Sequence, residues 1–558
     1  MRIVPLLSGA VALAAITATP LQAQAIGAES VVDEDTGTDD DISASTRRGP
    51  RYSITPYIEA QQVALFQIRP GDDVATYSVL AAGVDMTAAA RRVQGGLSLR
   101  YERRIQWDDD IGDSDTVSGI GRVAVAVVPD TLQIEAGGLA TRTRTDGAAF
   151  PGQLDIGDSV SQVYSVYAGP SVQTRVGDVT AQASYRAGYS KVEAPNAIVS
   201  ATTGDRVDLF DESTTHQATA RVASAPGGVL PVGVGVGGSY YREDVSNLDQ
   251  RVEDIRLRAD VTLPVSPTLA FVAGVGYEDV EVSGRDALRD AAGDPVIGPD
   301  GRFVTDLASP RILAYDVEGV IYDAGVLWRP SRRTALQATI GKKYGTLSLT
   351  GSFSWQPTSR TSLNVGVYDT VTGFGGSLVN SLASLPTDFG VIRNPVTGEL
   401  SGCVIGTEGG NCVSGAFGNL RAAAYRARGV SAGYNVDLGT AQAGIAAGYE
   451  RRELIGSQGT VFADLNGLID ETYFTTAYLG GKIDRRSGYS TNAYLSLFDA
   501  ADQAGGGLNG AIGAQAAYYR ELIDNLSATA AVGIDGVELE DAVDVWTASA
   551  RLGLRYSF

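Results

Sequence analysis

The sequence predicts an all-β fold, a closed transmembrane barrel of antiparallel up-and-down strands, about 22 in number. Three observations carry this. Segments of alternating polarity recur from Arg51 to Phe558, apolar content is spread thinly, and no later stretch reaches the roughly 20 apolar residues that a spanning helix needs. The 558 residues are 44% hydrophobic and include 68 glycines, with a mean hydropathy near zero. Strands with lipid on one side and water on the other have this composition, because every second residue is polar or small.

The first element is not a strand. Met1 and Arg2 give a short basic start, Ile3 to Ala18 are almost wholly apolar or small, and Leu21 to Ala25 offer small residues at cleavage spacing. This is a secretory signal peptide, residues 1–25, with cleavage expected after Ala25. Residues 26–50 follow, rich in acid (Glu29, Asp33, Glu34, Asp35, Asp39, Asp40, Asp41) and poor in large apolar side chains. They are expected to form a disordered periplasmic leader. No further boundary is visible, so 51–558 is expected to be one barrel.

Within the barrel region the clearest apolar faces are Leu132, Ile134, Ala136; Ile255, Leu257, Ala259, Val261, Leu263; Leu347, Leu349, Phe353, Trp355; Leu363, Val365, Val367; and Leu526, Ala528, Ala530, Val532, Ile534. Their alternates are polar or small, so one face is expected to meet lipid and the other a wet interior. Tight turns fall at Pro129-Asp130, Gly177-Asp178, Pro264 to Pro267, Pro330 to Arg333, Pro357 to Arg360, Leu438 to Thr440, Arg485 to Gly488 and Ile523 to Asn525. Longer connections fall at Asp108 to Asp115, Ala194 to Glu212, Gly284 to Ile312 and Gly373 to Asn419. Short turns at one end and long loops at the other orient the barrel in an outer membrane, with both termini in the periplasm. Two weakly marked connections, near Ala89 and at Tyr344-Gly345, leave the strand count at roughly 18 to 24.

Some tight turns repeat in sequence. Trp328-Arg329-Pro330-Ser331-Arg332-Arg333-Thr334-Ala335-Leu336 is echoed by Trp355-Gln356-Pro357-Thr358-Ser359-Arg360-Thr361-Ser362-Leu363. In each, an aromatic ends a strand at the interface and Pro breaks the ladder. Together with Gly341-Lys342-Lys343-Tyr344-Gly345, these turns resemble the large outer-membrane barrels associated with PEP-CTERM and exopolysaccharide loci of Gram-negative bacteria. The resemblance implies an envelope association with polysaccharide production or export, and no catalytic residues.

The last strand alternates without a break from Val543. Trp546, Ala548, Ala550, Leu552, Leu554, Tyr556 and Phe558 share one face, and Thr547, Ser549, Arg551, Gly553, Arg555 and Ser557 the other. An apolar face ending on Phe at the chain's end resembles the signal that bacterial outer-membrane barrels present to their assembly machinery. Trp546, Tyr556 and Phe558 are its expected anchors, with barrel-assembly machinery and outer-membrane lipid as partners.

Chemistry has few footholds. A net charge of −21 argues against a nucleic-acid partner. The single histidine, His216, lies in a strand-like segment, and is expected to line the lumen or sit near a loop rather than catalyse. Asp108, Asp109, Asp110, Asp113 and Asp115 could bind Ca²⁺ but lack the spacing of a known loop, so a solvated outer loop is expected and no metal or cofactor is assigned. Cys403 and Cys412 lie in one Gly-rich stretch, where an oxidising compartment favours a local disulfide. Arg256, Arg258, Arg551 and Arg555 are candidate lumen cations, either favouring anionic solutes or bracing the wall in ladders with carboxylates.

The function expected is non-enzymatic: a porin-like channel or envelope component in polysaccharide or solute passage. Two alternatives stand beside it. One is a structural or adhesive surface barrel; the other is a receptor-type transporter without a preceding plug domain, since strands begin near Arg51 while Glu29-Ser30-Val31-Val32 faintly resembles an energy-coupling box.

Overall fold

A computed structural model describes residues 51–558 except 72, 108–113, 145–159, 200–205, 229, 388, 407–408, 413–422, 500–507 and 539–542. The expected signal peptide, leader and coupling box lie outside the described residues, as do Asp108, Asp109, Asp110 and Asp113.

The strands follow one another along the chain as β1 (Arg51–Arg69), β2 (Val74–Ala89), β3 (Val93–Gln106), β4 (Ser114–Val128), β5 (Leu132–Arg144), β6 (Val160–Val176), β7 (Val179–Val199), β8 (Arg206–Ser224), β9 (Gly233–Val245), β10 (Gln250–Ser266), β11 (Leu269–Gly284), β12 (Ile312–Ser331), β13 (Thr334–Lys343), β14 (Thr346–Thr358) and β15 (Thr361–Thr372). Helix α1 (Phe374–Ala383) and three short strands, β16 (Gly390–Arg393), β17 (Leu400–Gly406) and β18 (Gly409–Cys412), interrupt the series. It resumes with β19 (Ala424–Asp437), β20 (Ala441–Ile455), β21 (Ile469–Lys482), β22 (Ser487–Asp499), β23 (Leu508–Ile523), β24 (Leu526–Glu538) and β25 (Val545–Ser557).

All but β16 to β18 form one 22-stranded antiparallel sheet. The ring closes where β1 meets β25, from Tyr57 opposite Ser557 to Arg69 opposite Trp546. A closed ring leaves no unpaired edge, which is the condition for strands to cross hydrocarbon.

Polarity follows the pleat. On β25, Leu552 is 67% exposed and Leu554 48% on the outer face, while Thr547 and Ser549 are buried on the inner one. Leu257, Val261, Phe271, Val275, Val320, Leu347 and Val532 also lie bare on the outside. A girdle of this size has no stable home in water, and the barrel is therefore an outer-membrane protein with this belt in lipid. Trp328 and Trp355 stand on the outer face just before short turns, as the repeat predicts.

The two ends differ as expected, with two corrections. Strands β7 and β8 run on to pair Ile198 with Val207, so the long connection expected over 194–212 shrinks to 200–205. The cause is strand pairing that continues past the belt. Tyr344-Gly345 is a tight turn at the long-loop end, with Tyr344 at φ 52 and buried. The stretch after Gly373 does not extend outward as a loop; it folds into the barrel.

Candidate functional site

The element that enters the lumen begins where β15 ends. Phe374, Leu378, Val379, Leu382 and Ala383 recur at helical spacing and form one buried side of α1. Pro386 limits the helix, since the residue before a proline is pushed out of helical geometry. The apolar side packs on Ile120, Leu139, Val163, Tyr167, Val192 and Val245 of the wall. Each fully buried Leu or Phe contributes about 1.5–3 kcal/mol relative to water, so the helix docks by ordinary apolar burial.

Its N-terminus is held by the wall itself. Gly373, the N-cap, has no side chain to offer, and the Glu243 carboxylate of β9 takes that role. It accepts from the backbone N–H of Gly373 at 2.6 Å and of Gly376 at 3.0 Å, from Ser213 Oγ at 2.7 Å, and from Tyr241 Oη at 2.6 Å. A buried carboxylate on the positive end of a helix is favourable by dipole and hydrogen bond together. The close approach requires glycine: a Cβ on Gly375 would lie 2.3 Å from Ser213 Oγ, and one on Gly376 1.8 Å from Tyr241 Oη. On the wall, a Cβ on Gly188 would lie 2.6 Å from Val379.

From α1 the chain runs on along the wall to β3 and β4. Arg393 donates to Ser118 Oγ at 2.8 Å, Ser98 Oγ at 3.1 Å and its own segment's Gly398 carbonyl at 2.9 Å. It makes no ion pair among the described residues. Burial lowers its guanidinium below the ordinary value, and nearby Arg100 adds to the lowering. Asn394 then makes a tight turn, its Oδ1 accepting from the N–H of Val396 at 2.8 Å and of Thr397 at 3.1 Å. At the tip Val396 is buried among Val63, Leu65, Tyr77, Val79 and Ala81 of β1 and β2 and Ala517 and Ala531 of β23 and β24. The insert thus touches the wall along an arc that runs from β9 through β1 to β23.

A chain of alternating charges runs from the wall to the tip. Arg555 pairs with Asp85 at 2.8 Å and Glu59 at 3.5 Å, Glu59 with Arg100, Arg100 with Glu102 at 3.1 Å, Glu102 with Arg104 at 2.7 Å, and Arg104 with Glu399 of the insert at 3.4 Å. Beside it, Arg551 reaches only the Val396 carbonyl, at 3.4 Å, and has no carboxylate partner among the described residues.

Solved structures of similar shape include the ferric-catecholate import receptor Fiu from E. coli K12 (TM-score 0.42, 10% identity, covering 90% of this chain and 81% of that one). The FrpB iron transporter from Neisseria meningitidis gives a TM-score of 0.44 at 8% identity, covering 90% and 82%, and the siderophore receptor PirA from Acinetobacter baumannii 0.40 at 8%, covering 90% and 80%. No protein-family model and no curated protein matches this chain.

The other residues singled out from sequence fall as follows. Arg256 and Arg258 face inward but are tied to carboxylates: Arg256 Nε to Asp254 at 2.7 Å, and Arg258 to both Asp323 oxygens at 2.7 and 2.6 Å and to Asp260 at 2.6 Å. With Arg555 also paired, Arg551 is the one of these four arginines without a carboxylate. Cys403 and Cys412 stand opposite one another in the β17–β18 ladder. Tyr556 and Phe558 pack edge to face at 5.1 Å, and the ring of Trp546 covers Gly536.

His216 corrects its expectation. It points out of the barrel, its Nδ1 2.7 Å from the Tyr185 hydroxyl. Its polar flanks hid the parity, for the inner face there is Ser213 and Thr215. Asp115 pairs with Tyr101 at 2.8 Å and Arg103 at 2.9 Å on the exposed outer surface. Sequence reading missed Glu243, Arg393 and Asn394. The legible signals were the glycines of Gly373-Phe374-Gly375-Gly376 ahead of a helical apolar spacing, and the turn-forming Asn394-Pro395.

Proposed function

We propose that this chain is an outer-membrane transporter of the receptor type, gated from inside its lumen by the insert that begins at Gly373, in place of the porin-like channel or envelope component expected first. The observation that supports it is an insert docked along a wide arc of the wall, through α1 on β4 to β9 and through Val396 on β1, β2, β23 and β24. A static structural barrel has no need of a helix and turn packed against the inner face of its wall. Both termini are taken to be periplasmic, after removal of residues 1–25, with 26–50 as a leader. Trp546, Tyr556 and Phe558 serve assembly. The cargo is a polysaccharide or anionic solute, in keeping with the turn resemblance and with Arg551, which has no carboxylate partner among the described residues.

The test is excision. Thr372 and Tyr425 are register partners on adjacent strands, so a short Gly-Ser linker can replace 374–422 without straining the wall. In planar bilayers the excised barrel is expected to conduct about tenfold more than the full chain, because a large barrel without its filling is a channel. Equal currents from two heat-modifiable, folded proteins would overturn the gate.

A further inference from the structure

We infer that the Asn394–Glu399 turn occupies a carboxylate-binding subsite on the barrel wall, acting as a tethered stand-in for a carboxylate-bearing cargo. This rests on the gated-transporter reading and adds the chemistry that releases the gate.

The argument begins with charge. On the wall, Arg555, Arg100, Arg104 and Arg551 stand against Asp85, Glu59 and Glu102, and the chain of ion pairs is completed by a group that the wall does not own, Glu399 of the insert. Arg551 meets only a backbone carbonyl from the same turn. Two buried guanidinium nitrogens here, Arg100 Nη2 and Arg551 Nε, have no acceptor among the described residues. Buried donors of this kind are costly to leave unmade, and an oxyanion satisfies them best.

The turn is shaped to fill that place. Gly398, at φ 76, brings its backbone so near Arg100 that a Cβ would lie 3.1 Å from the guanidinium Nε. Thr397 Oγ1 accepts from the Glu399 N–H at 3.2 Å, which sets the direction of that residue. The turn therefore presents one carboxylate and one carbonyl to two wall arginines. A free dicarboxylate can offer each arginine a carboxylate in bidentate geometry, which a carbonyl and a monodentate carboxylate do not match. Competition at Arg104 and Arg551 then weakens the hold on the tip, which the apolar packing of Val396 and the bonds from Arg393 to Ser98 and Ser118 still oppose.

The test uses full-length protein in lipid nanodiscs and in planar bilayers, with malonate as the probe and malonamide as its neutral isostere. Malonate at millimolar concentration is expected to speed hydrogen exchange across 390–400 about tenfold and to raise conductance, with malonamide doing neither. Arg551→Gln should abolish the malonate response, and Glu399→Gln should speed exchange without any ligand. No malonate effect on exchange, or an equal effect of malonamide, overturns the inference. If malonate is inert while the excised barrel conducts strongly, the gate stands and the subsite falls. If malonate loosens the turn while excision leaves the current unchanged, the subsite stands and the gate falls.

Discussion

Glu243 has no counter-cation among the described residues, yet it lies fully buried beneath the first turn of α1. What balances it is a set of donors, two of them backbone amides of the helix. Replacing it with Ala strands those donors, at a cost of about 2–4 kcal/mol to docking of the insert. Glu243→Ala is therefore expected to expose 374–383 to protease while the barrel keeps its heat-modifiable mobility on gels. Gly376→Ala should act alike by collision with Tyr241, and unchanged protection of α1 in both would contradict the capping role. Sequence could offer Gly375 and Gly376 as oddities in a helix, but their reason is a wall residue far away in the chain.

At the scale of elements, β25 shows how far alternation reaches. Leu554 lies on the lipid face, and Leu554→Arg should cost about 2–4 kcal/mol if it sits near the bilayer midplane, falling toward the interface. Denaturant unfolding in lipid vesicles measures this, and a loss below a few tenths would mean that this face does not meet hydrocarbon. Strands β17 and β18 support a second prediction. Residues opposed in an antiparallel ladder have Cα atoms about 4.5–5.5 Å apart, inside the window of about 4.4–6.8 Å that a disulfide needs. Cys403 and Cys412, opposed in that ladder, are expected to resist alkylation until reduced, as read by mass spectrometry. Immediate double labelling would exclude the bond. The β strands were legible because their period is local. Helix α1 was not, because its cap is on β9 and its apolar side has no lipid-facing counterpart to reveal it.

For the whole molecule, closure and gating are separate properties. The ring stands on strand pairing alone, so the full chain and the excised one should both fold, and differ in conductance. The lumenal arginines illustrate why a list of cations is a poor guide to selectivity. Arg256, Arg258 and Arg555 are neutralised by carboxylates on their own or neighbouring strands, and bracing of a wide wall accounts for them. Arg551 differs through its place beside the insert.

By itself the sequence determined an all-β barrel of about 22 strands, the polarity of its two faces, and the inequality of its two ends, since each follows from local period, turn chemistry and the parity of crossings. Only the tertiary structure decided that the stretch after Gly373 packs inside the barrel and which arginines it leaves without a carboxylate. Those depend on contacts between residues 155 to 295 positions apart, such as Val396 with Arg551 and Arg104 with Glu399, and no local pattern encodes them.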